Sequence, residues 1–167
     1  MPVFYLDTSV IVKRYRTEEG TDFIDILFDE VINSKEYSLA TSTLSVLEFI
    51  AAMRRIQKAN IISEDDFKDA ISIFRKDIEH FSLRPLNEDL LTKAVNVVMD
   101  HALRTADSLH LATVLELKEM MAKIDEDVIL ISDDIEMCTA AKKEGLKLLR
   151  PKDKKELLSI FEENDSK

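Results

Sequence analysis

Apolar residues in this chain fall into short continuous runs separated by longer stretches with helical spacing. Val3-Phe4-Tyr5-Leu6 ends at Asp7, and Val128-Ile129-Leu130-Ile131, rich in β-branched residues, is followed by polar ones. Phe81-Ser82-Leu83-Arg84 stops at Pro85, and Leu146-Lys147-Leu148-Leu149 lies between Gly145 and Pro151. Ser38-Leu39-Ala40 is a weaker run of the same kind. Short apolar runs bounded by turn residues are the pattern of buried strands. Between them the spacing predicts helices near 19–33, 43–59, 63–79, 87–101, 104–122 and 134–144. Ser63-Glu64-Asp65-Asp66 is a variant of the capping box, and Asn87 precedes an acidic first turn. Gly145 fits a helix C-cap. Strands alternating with helices imply parallel pairing and an α/β layered fold. After Pro151 the pattern predicts a short terminal helix with a frayed polar end from Glu162 to Lys167. Residues 1–150 therefore read as one domain and 151–167 as a helix and tail appended to it.

Composition narrows the class. At 167 residues, 46% hydrophobic and 34% charged, the chain suits one globular domain with a real core. With only two glycines and three prolines, no linker divides it, and no repeat is visible. No apolar run approaches the roughly 20 residues that span a bilayer. The segment Met1–Asp7 lacks the basic region and cleavage site of a secretory signal. A single cysteine, Cys138, excludes an internal disulfide and a multi-cysteine zinc site, and suits a small helix-packing residue. Together these features predict a cytoplasmic protein. The net charge of -10 repels phosphate backbones. Nucleic-acid contact would need local basic patches, a bound cation or a basic partner.

With 33 acidic residues, an isolated Asp or Glu carries little information, but four stand in costly surroundings. Asp7 follows the first apolar run, at the carboxyl end of a strand, where open α/β sheets bind ligands. It could equally be an N-cap for the helix that Thr8-Ser9 would begin. Asp134 repeats the arrangement after Val128–Ile131, preceded by Ser132 and Asp133. Adjacent acids there repel unless something positive is near. Glu48 lies in a stretch, Thr43 to Met53, whose apolar residues nearly encircle the helix, and Asp107 lies in a similar one, Leu103 to Ala112. A helix apolar on most sides is buried, and a buried carboxylate needs a partner. That partner is either a basic side chain such as Arg54 or Arg104, or a divalent cation shared by several acids. All-oxygen sites suit Mg²⁺ or Mn²⁺.

These segments carry a resemblance. Tyr5-Leu6-Asp7-Thr8-Ser9, Ser45-Val46-Leu47-Glu48-Phe49, Leu103-Arg104-Thr105-Ala106-Asp107-Ser108-Leu109-His110-Leu111-Ala112 and Leu130-Ile131-Ser132-Asp133-Asp134 resemble, in order and spacing, the four motifs of PIN-domain nucleases, especially the small VapC-type toxins. The third is the most distinctive. The fourth, usually Thr or Ser, one variable residue, then Asp, selects Asp134 over Asp133. The resemblance spans positions 5 to 145 and implies a parallel sheet of about five strands with helices on both faces, consistent with a layered α/β domain. It also implies Mg²⁺- or Mn²⁺-dependent RNA cleavage, frequent homodimerisation, and an antitoxin that presents a basic side chain to the acidic site. An acidic enzyme would attract such a partner.

Under the resemblance, Asp7 and Asp107 are the direct metal ligands, and Glu48 and Asp134 complete the set. Ser9 and Ser132 would orient the ligands by hydrogen bonds, or cap helices. Lys13, Arg14 and Arg16, two helical turns beyond Asp7, could hold RNA phosphates, as could Arg54, Arg55 and Lys58 beyond Glu48 and Arg104 beside Asp107. Each could instead lie on a solvated face. His110 could hydrogen-bond a site acid or serve as a packing residue. Three rivals remain. An aspartate phosphatase would need a second acid where Ser9 stands, and a phosphotransfer receiver an acidic pair near the first strand's end, which is absent. A non-catalytic PIN-fold scaffold would not need all four acids.

Overall fold

The computed structural model describes residues 2–34 and 36–165. Five parallel strands form one sheet: β1 (Val3–Leu6), β2 (Ser38–Ser42), β3 (Phe81–Arg84), β4 (Val128–Ile131) and β5 (Lys147–Leu149), in the order β3-β2-β1-β4-β5. Every pairing is parallel, so each connection crosses over through helix. The helices are α1 (Thr8–Val12), α2 (Thr21–Asn33), α3 (Leu44–Lys58), α4 (Glu64–Asp77), α5 (Glu88–His101), α6 (Thr105–Met121), α7 (Ile135–Lys143) and α8 (Lys154–Asp165).

Side-chain alternation along the strands divides the interior into two cores. Phe4, Leu6, Ile129 and Ile131 face one side, where they pack with residues of α1–α4 and with Leu157 and Phe161 of α8. Val3, Tyr5, Val128 and Leu130 face the other, against α5, α6 and α7. The result is the three-layer α/β fold expected from the alternating runs. The chain leaves the central β1 toward β2 on one side and returns to β4 on the other. The strand order therefore reverses between β1 and β4, and a crevice opens there at the strands' carboxyl ends.

Local signals decide the boundaries. Ser63 caps α4 with a complete capping box, its hydroxyl accepting from Asp66 N–H while the Asp66 carboxylate accepts from Ser63 N–H. Asn87 caps α5 by accepting from Leu90 N–H at 2.8 Å. Gly145, at φ +65°, closes α7: its N–H donates to Lys142 O and that of Leu146 to Ala141 O. This reverse-turn closure consumes the Leu146 N–H, so β5 begins at Lys147 and not at Leu146.

The C-terminal helix extends past Glu162 to Asp165, with Phe161 packed against Phe4 and Tyr37 at ring separations of 6.1 and 5.0 Å. The last part of the expected tail, Ser166 and Lys167, lies outside the described residues. One expectation needs correction. The α3 helix is not apolar-buried all round: Phe49 and Met53 are buried, but Leu47 is 68% exposed. No helix among the described residues is long and apolar enough to cross a membrane.

Candidate active site

The pairing of β1 with β4 sets Leu6 opposite Ile131, and Asp7 N–H donates to Ile131 O at 3.1 Å. Asp7 and Ser132 therefore emerge side by side at the switch point. Asp7 occupies the N-cap position of α1, yet its side chain makes no capping hydrogen bond. Instead Oδ2 accepts from Ser9 Oγ at 2.7 Å and Ser132 Oγ at 3.0 Å. Two hydroxyls thus orient a carboxylate that is itself buried.

Ser132 also accepts from Asp134 N–H at 3.1 Å, linking the two strand-end aspartates. Asp134 is a true N-cap, with Oδ1 accepting from Met137 N–H at 2.7 Å. The capping role and a place in the cleft coexist. Asp133 points elsewhere, 3.1 Å from Lys13 Nζ and 3.5 Å from an Arg150 guanidinium nitrogen. The register that favoured Asp134 thus matches the residue lining the cleft. Cys138, buried on α7, packs behind this loop and donates from Sγ to Ser132 O.

Glu48 arrives from α3. Its helix is tied to the end of β1 by Thr41, whose hydroxyl donates to Leu6 O at 2.7 Å and lies 2.6 Å from Ser45 Oγ. Glu48 Oε2 accepts from Thr8 Oγ1 at 2.6 Å and lies 2.8 Å from His110 Nε2. Neither Arg54 nor Arg104 is its partner, contrary to one expected alternative. Arg54 pairs with Glu64 at 2.7 Å and covers the Phe67 ring. Burial pushes the Glu48 carboxyl up, but the His110 and Thr8 hydrogen bonds, with the charges of His110 and Arg55, outweigh it and hold the carboxyl below its ordinary range.

Asp107 lies in the first turn of α6, where the helix N-terminus favours negative charge. Its carboxyl is nevertheless pushed up, first by burial and then by the charges of Asp134 and Asp7, with His110 and Arg104 opposing. Burial leads the shift, and the neighbouring acids add to it.

Asp7, Glu48, Asp107 and Asp134, from four separate segments, line one cleft of about 370 Å³ together with Thr8, Ser9, His110, Arg55 and Arg104. Lys13 and Arg14 are not among the lining residues. α1 ends at Val12, and tighter i→i−3 turns carry the chain on through Lys13, Arg14 and Tyr15. Lys13 pairs with Asp133 and Glu18, and Arg14 with Asp77 at 2.9 Å and Asp25 at 3.0 Å, its guanidinium stacked over Phe28. Arg14 is a structural cation. His110 is both packed and hydrogen-bonded to a site acid, and Thr8 and Tyr5 join that network. A β-strand tyrosine followed by a strand-end Thr gives no separate sequence signal. The helical spacing of His110 after Asp107 was the available clue.

Among the described residues, no three His, Cys, Asp or Glu side chains stand close enough to share one ion as oriented. The donor chemistry nonetheless fits a hard divalent cation, because the cleft offers four carboxylates and Asp107 feels the charges of Asp134 and Asp7.

Fold and site define a class, and comparison with known proteins names it: the chain belongs to the PIN domain family, which matches residues 4–143. Within it, the chain is similar to ribonucleases VapC45 and VapC49 of Mycobacterium tuberculosis, each 31% identical over 119 residues, covering 69% of this chain and 76% of theirs. The fold is shared with a DNA-bound VapBC structure from Salmonella typhimurium, at 10% identity and a TM-score of 0.61, over 90% of this chain and 99% of that one.

Proposed function

We propose that this chain is a divalent-metal-dependent endoribonuclease and the toxin of a toxin–antitoxin pair. The observation that carries the reading is the convergence of Asp7, Glu48, Asp107 and Asp134 on one cleft at the sheet's switch point. Membership of the PIN family and likeness to VapC ribonucleases support the substrate class. Asp7 and Asp107 would hold the Mg²⁺ or Mn²⁺, with Glu48 and Asp134 completing the set. When bound, the cation supplies Lewis acidity at the scissile phosphate and lowers the pKa of water.

The remaining work falls to the chain's own groups. Ser9 and Ser132 fix the Asp7 carboxylate by donating to Oδ2. Thr8 and His110 both engage Glu48 Oε2, so Oε1 is the oxygen that accepts a proton from the attacking water. Arg55 of α3 and Arg104 at the N-cap of α6 line the cleft and offer the local positive charge that RNA phosphates need on an acidic molecule. Of the basic side chains expected to hold RNA, Arg55 and Arg104 line the cleft and Lys13 and Arg14 do not.

RNA cleavage with Mg²⁺ or Mn²⁺ tests this, with EDTA and Asp7→Asn as controls. Both controls are expected to remove activity. Cleavage that survives both would sink the metal-nuclease reading, and no cleavage by the wild type with any RNA would favour a scaffold.

The assembly reading is part of the same proposal: a basic antitoxin partner, a homodimer and a cytoplasmic location. The net charge of -10 supports the first, and an exposed apolar stripe of Leu91, Val95 and Met99 on α5 supports the second. Sedimentation checks both. The chain alone should run as a dimer at micromolar concentration, and partner binding should weaken markedly from about 0.05 to 0.5 M salt as the Debye length shrinks. A monomer, or salt-insensitive association, would contradict the corresponding statement.

A further inference from the structure

We propose that His110 is the positioning residue for Glu48, itself held in place by the buried Tyr5 hydroxyl. The inference rests on the nuclease reading of the cleft and adds to it a residue outside the four acids. Three elements contribute one hydrogen-bonded chain. Tyr5 Oη of β1 lies 2.8 Å from His110 Nδ1 on α6, and His110 Nε2 lies 2.8 Å from Glu48 Oε2 on α3. Thr8 Oγ1 of α1 reaches the same carboxylate oxygen at 2.6 Å.

The direction of each bond follows from the groups. A carboxylate oxygen can only accept, so the nitrogen facing it must carry the proton. Nε2–H therefore donates to Glu48. In a neutral imidazole Nδ1 is then the acceptor, and the Tyr5 hydroxyl donates to it. Burial, followed by the charge of Asp7, keeps that phenol protonated. The hydroxyl therefore holds a proton that it can donate to Nδ1 at 2.8 Å. If the imidazole is instead doubly protonated, Nε2–H still donates to Glu48, so the contact does not depend on the charge state.

Both nitrogens of this buried imidazole are satisfied, one by Tyr5 and one by Glu48. Here the ring is 1% exposed, packed edge-on to Tyr5 at 6.0 Å and 70°, and bonded at both ends. Glu48, by contrast, is partly exposed, and a glutamate has three side-chain torsions to fix. Two donors on Oε2 remove that freedom and leave Oε1 for the reaction. Fixing a ligand's orientation through an outer partner is worth about 10–100-fold in activity or metal affinity.

The test uses the full chain with ¹⁵N-labelled histidine and three variants: His110→Gln, His110→Leu and Tyr5→Phe. Gln keeps a donor near the position of Nε2 but cannot also serve Tyr5, whereas Leu supplies neither. In the wild type, two-bond ¹H–¹⁵N correlation should show His110 protonated at Nε2, with that proton shifting in Glu48→Gln. On Mn²⁺-supported RNA cleavage, His110→Leu should lower kcat by about 10–100-fold with little change in KM. His110→Gln should stay within about threefold of wild type, and Tyr5→Phe should fall between them. Melting curves identify loss of fold; if His110→Leu fails to fold, the Gln and Phe variants decide. A bare Nε2, a folded Leu variant within about threefold of wild type, or Gln as impaired as Leu would overturn the proposal. If the wild type cleaves no RNA, the nuclease reading fails, while the Nε2 protonation and its response to Glu48→Gln still decide the positioning contact.

Discussion

Asp107→Asn is expected to abolish RNA cleavage while leaving the fold at least as stable as the wild type. The two halves have one cause. Asp107 is pushed up by burial and by the charges of Asp134 and Asp7, so in the metal-free protein its negative charge costs free energy. A group whose folded pKa is raised favours the folded state at low pH and opposes it above its folded pKa. At neutral pH, removing the charge therefore relieves repulsion. The same charge is what a bound cation would need. Losing an outer partner of a metal ligand costs about 10–100-fold, so losing a ligand should cost at least about 100-fold in kcat. The checks are single-turnover cleavage of RNA and a metal-free melting curve. A variant that retains near-full activity, or one that loses activity only because it unfolds, would contradict the assignment. Asp7→Asn should behave differently in the metal-free state, because it weakens the acceptor used by Ser9 and Ser132.

The largest expected effect on stability comes from outside the cleft. Gly20→Ala should destabilise the protein by about 2–5 kcal/mol, combining left-handed strain with steric overpacking. Gly20 sits at φ +92°, ψ 0°, at the N-cap of α2, and an added Cβ would lie 2.5 Å from Pro151 Cβ and 3.3 Å from Lys13 Cδ. The proline ring is rigid and cannot turn aside. This contact joins the α1–α2 loop to the chain after β5, beside the Lys13–Asp133–Arg150 ion pairs. The melting temperature of a domain of this size should fall by about 5–15 °C. Urea unfolding gives the free energy directly, and a change under about 0.5 kcal/mol, the level of an ordinary surface substitution, would refute the account. Cleavage by the fraction that remains folded should be retained, since Gly20 does not line the cleft.

The strand and helix pattern was legible because its signals are local. A four-residue apolar run needs no distant information to be recognised as a strand, and Ser63, Asn87 and Gly145 act within one turn of their own positions. The four acids were legible for a related reason: each sat at a strand end or within an apolar helix, and their motifs keep order and spacing. What failed depended on helix length or on distant partners. Lys13 and Arg14 were expected beside RNA because a helix was extrapolated past Val12. The partners that hold them, Asp133, Asp77 and Asp25, come from other elements. For Glu48 the sequence left a basic side chain or a shared cation open, and the partners the fold supplies are Thr8 and His110, 40 and 62 residues away.

By itself the sequence determined the layered α/β architecture and singled out four acids, with Asp134 rather than Asp133 among them, that the fold gathers on one cleft, because periodicity, caps and motif register are short-range properties. Only the tertiary structure decided which groups touch. The parallel pairing of β1 with β4 put Asp7 beside Ser132, and the packing of α3 and α6 around β1 joined Tyr5, His110 and Glu48 into one chain. Hydrogen bonds act over about 3 Å, and which atoms come within that distance is set by how the layers pack, a relation that no local pattern encodes.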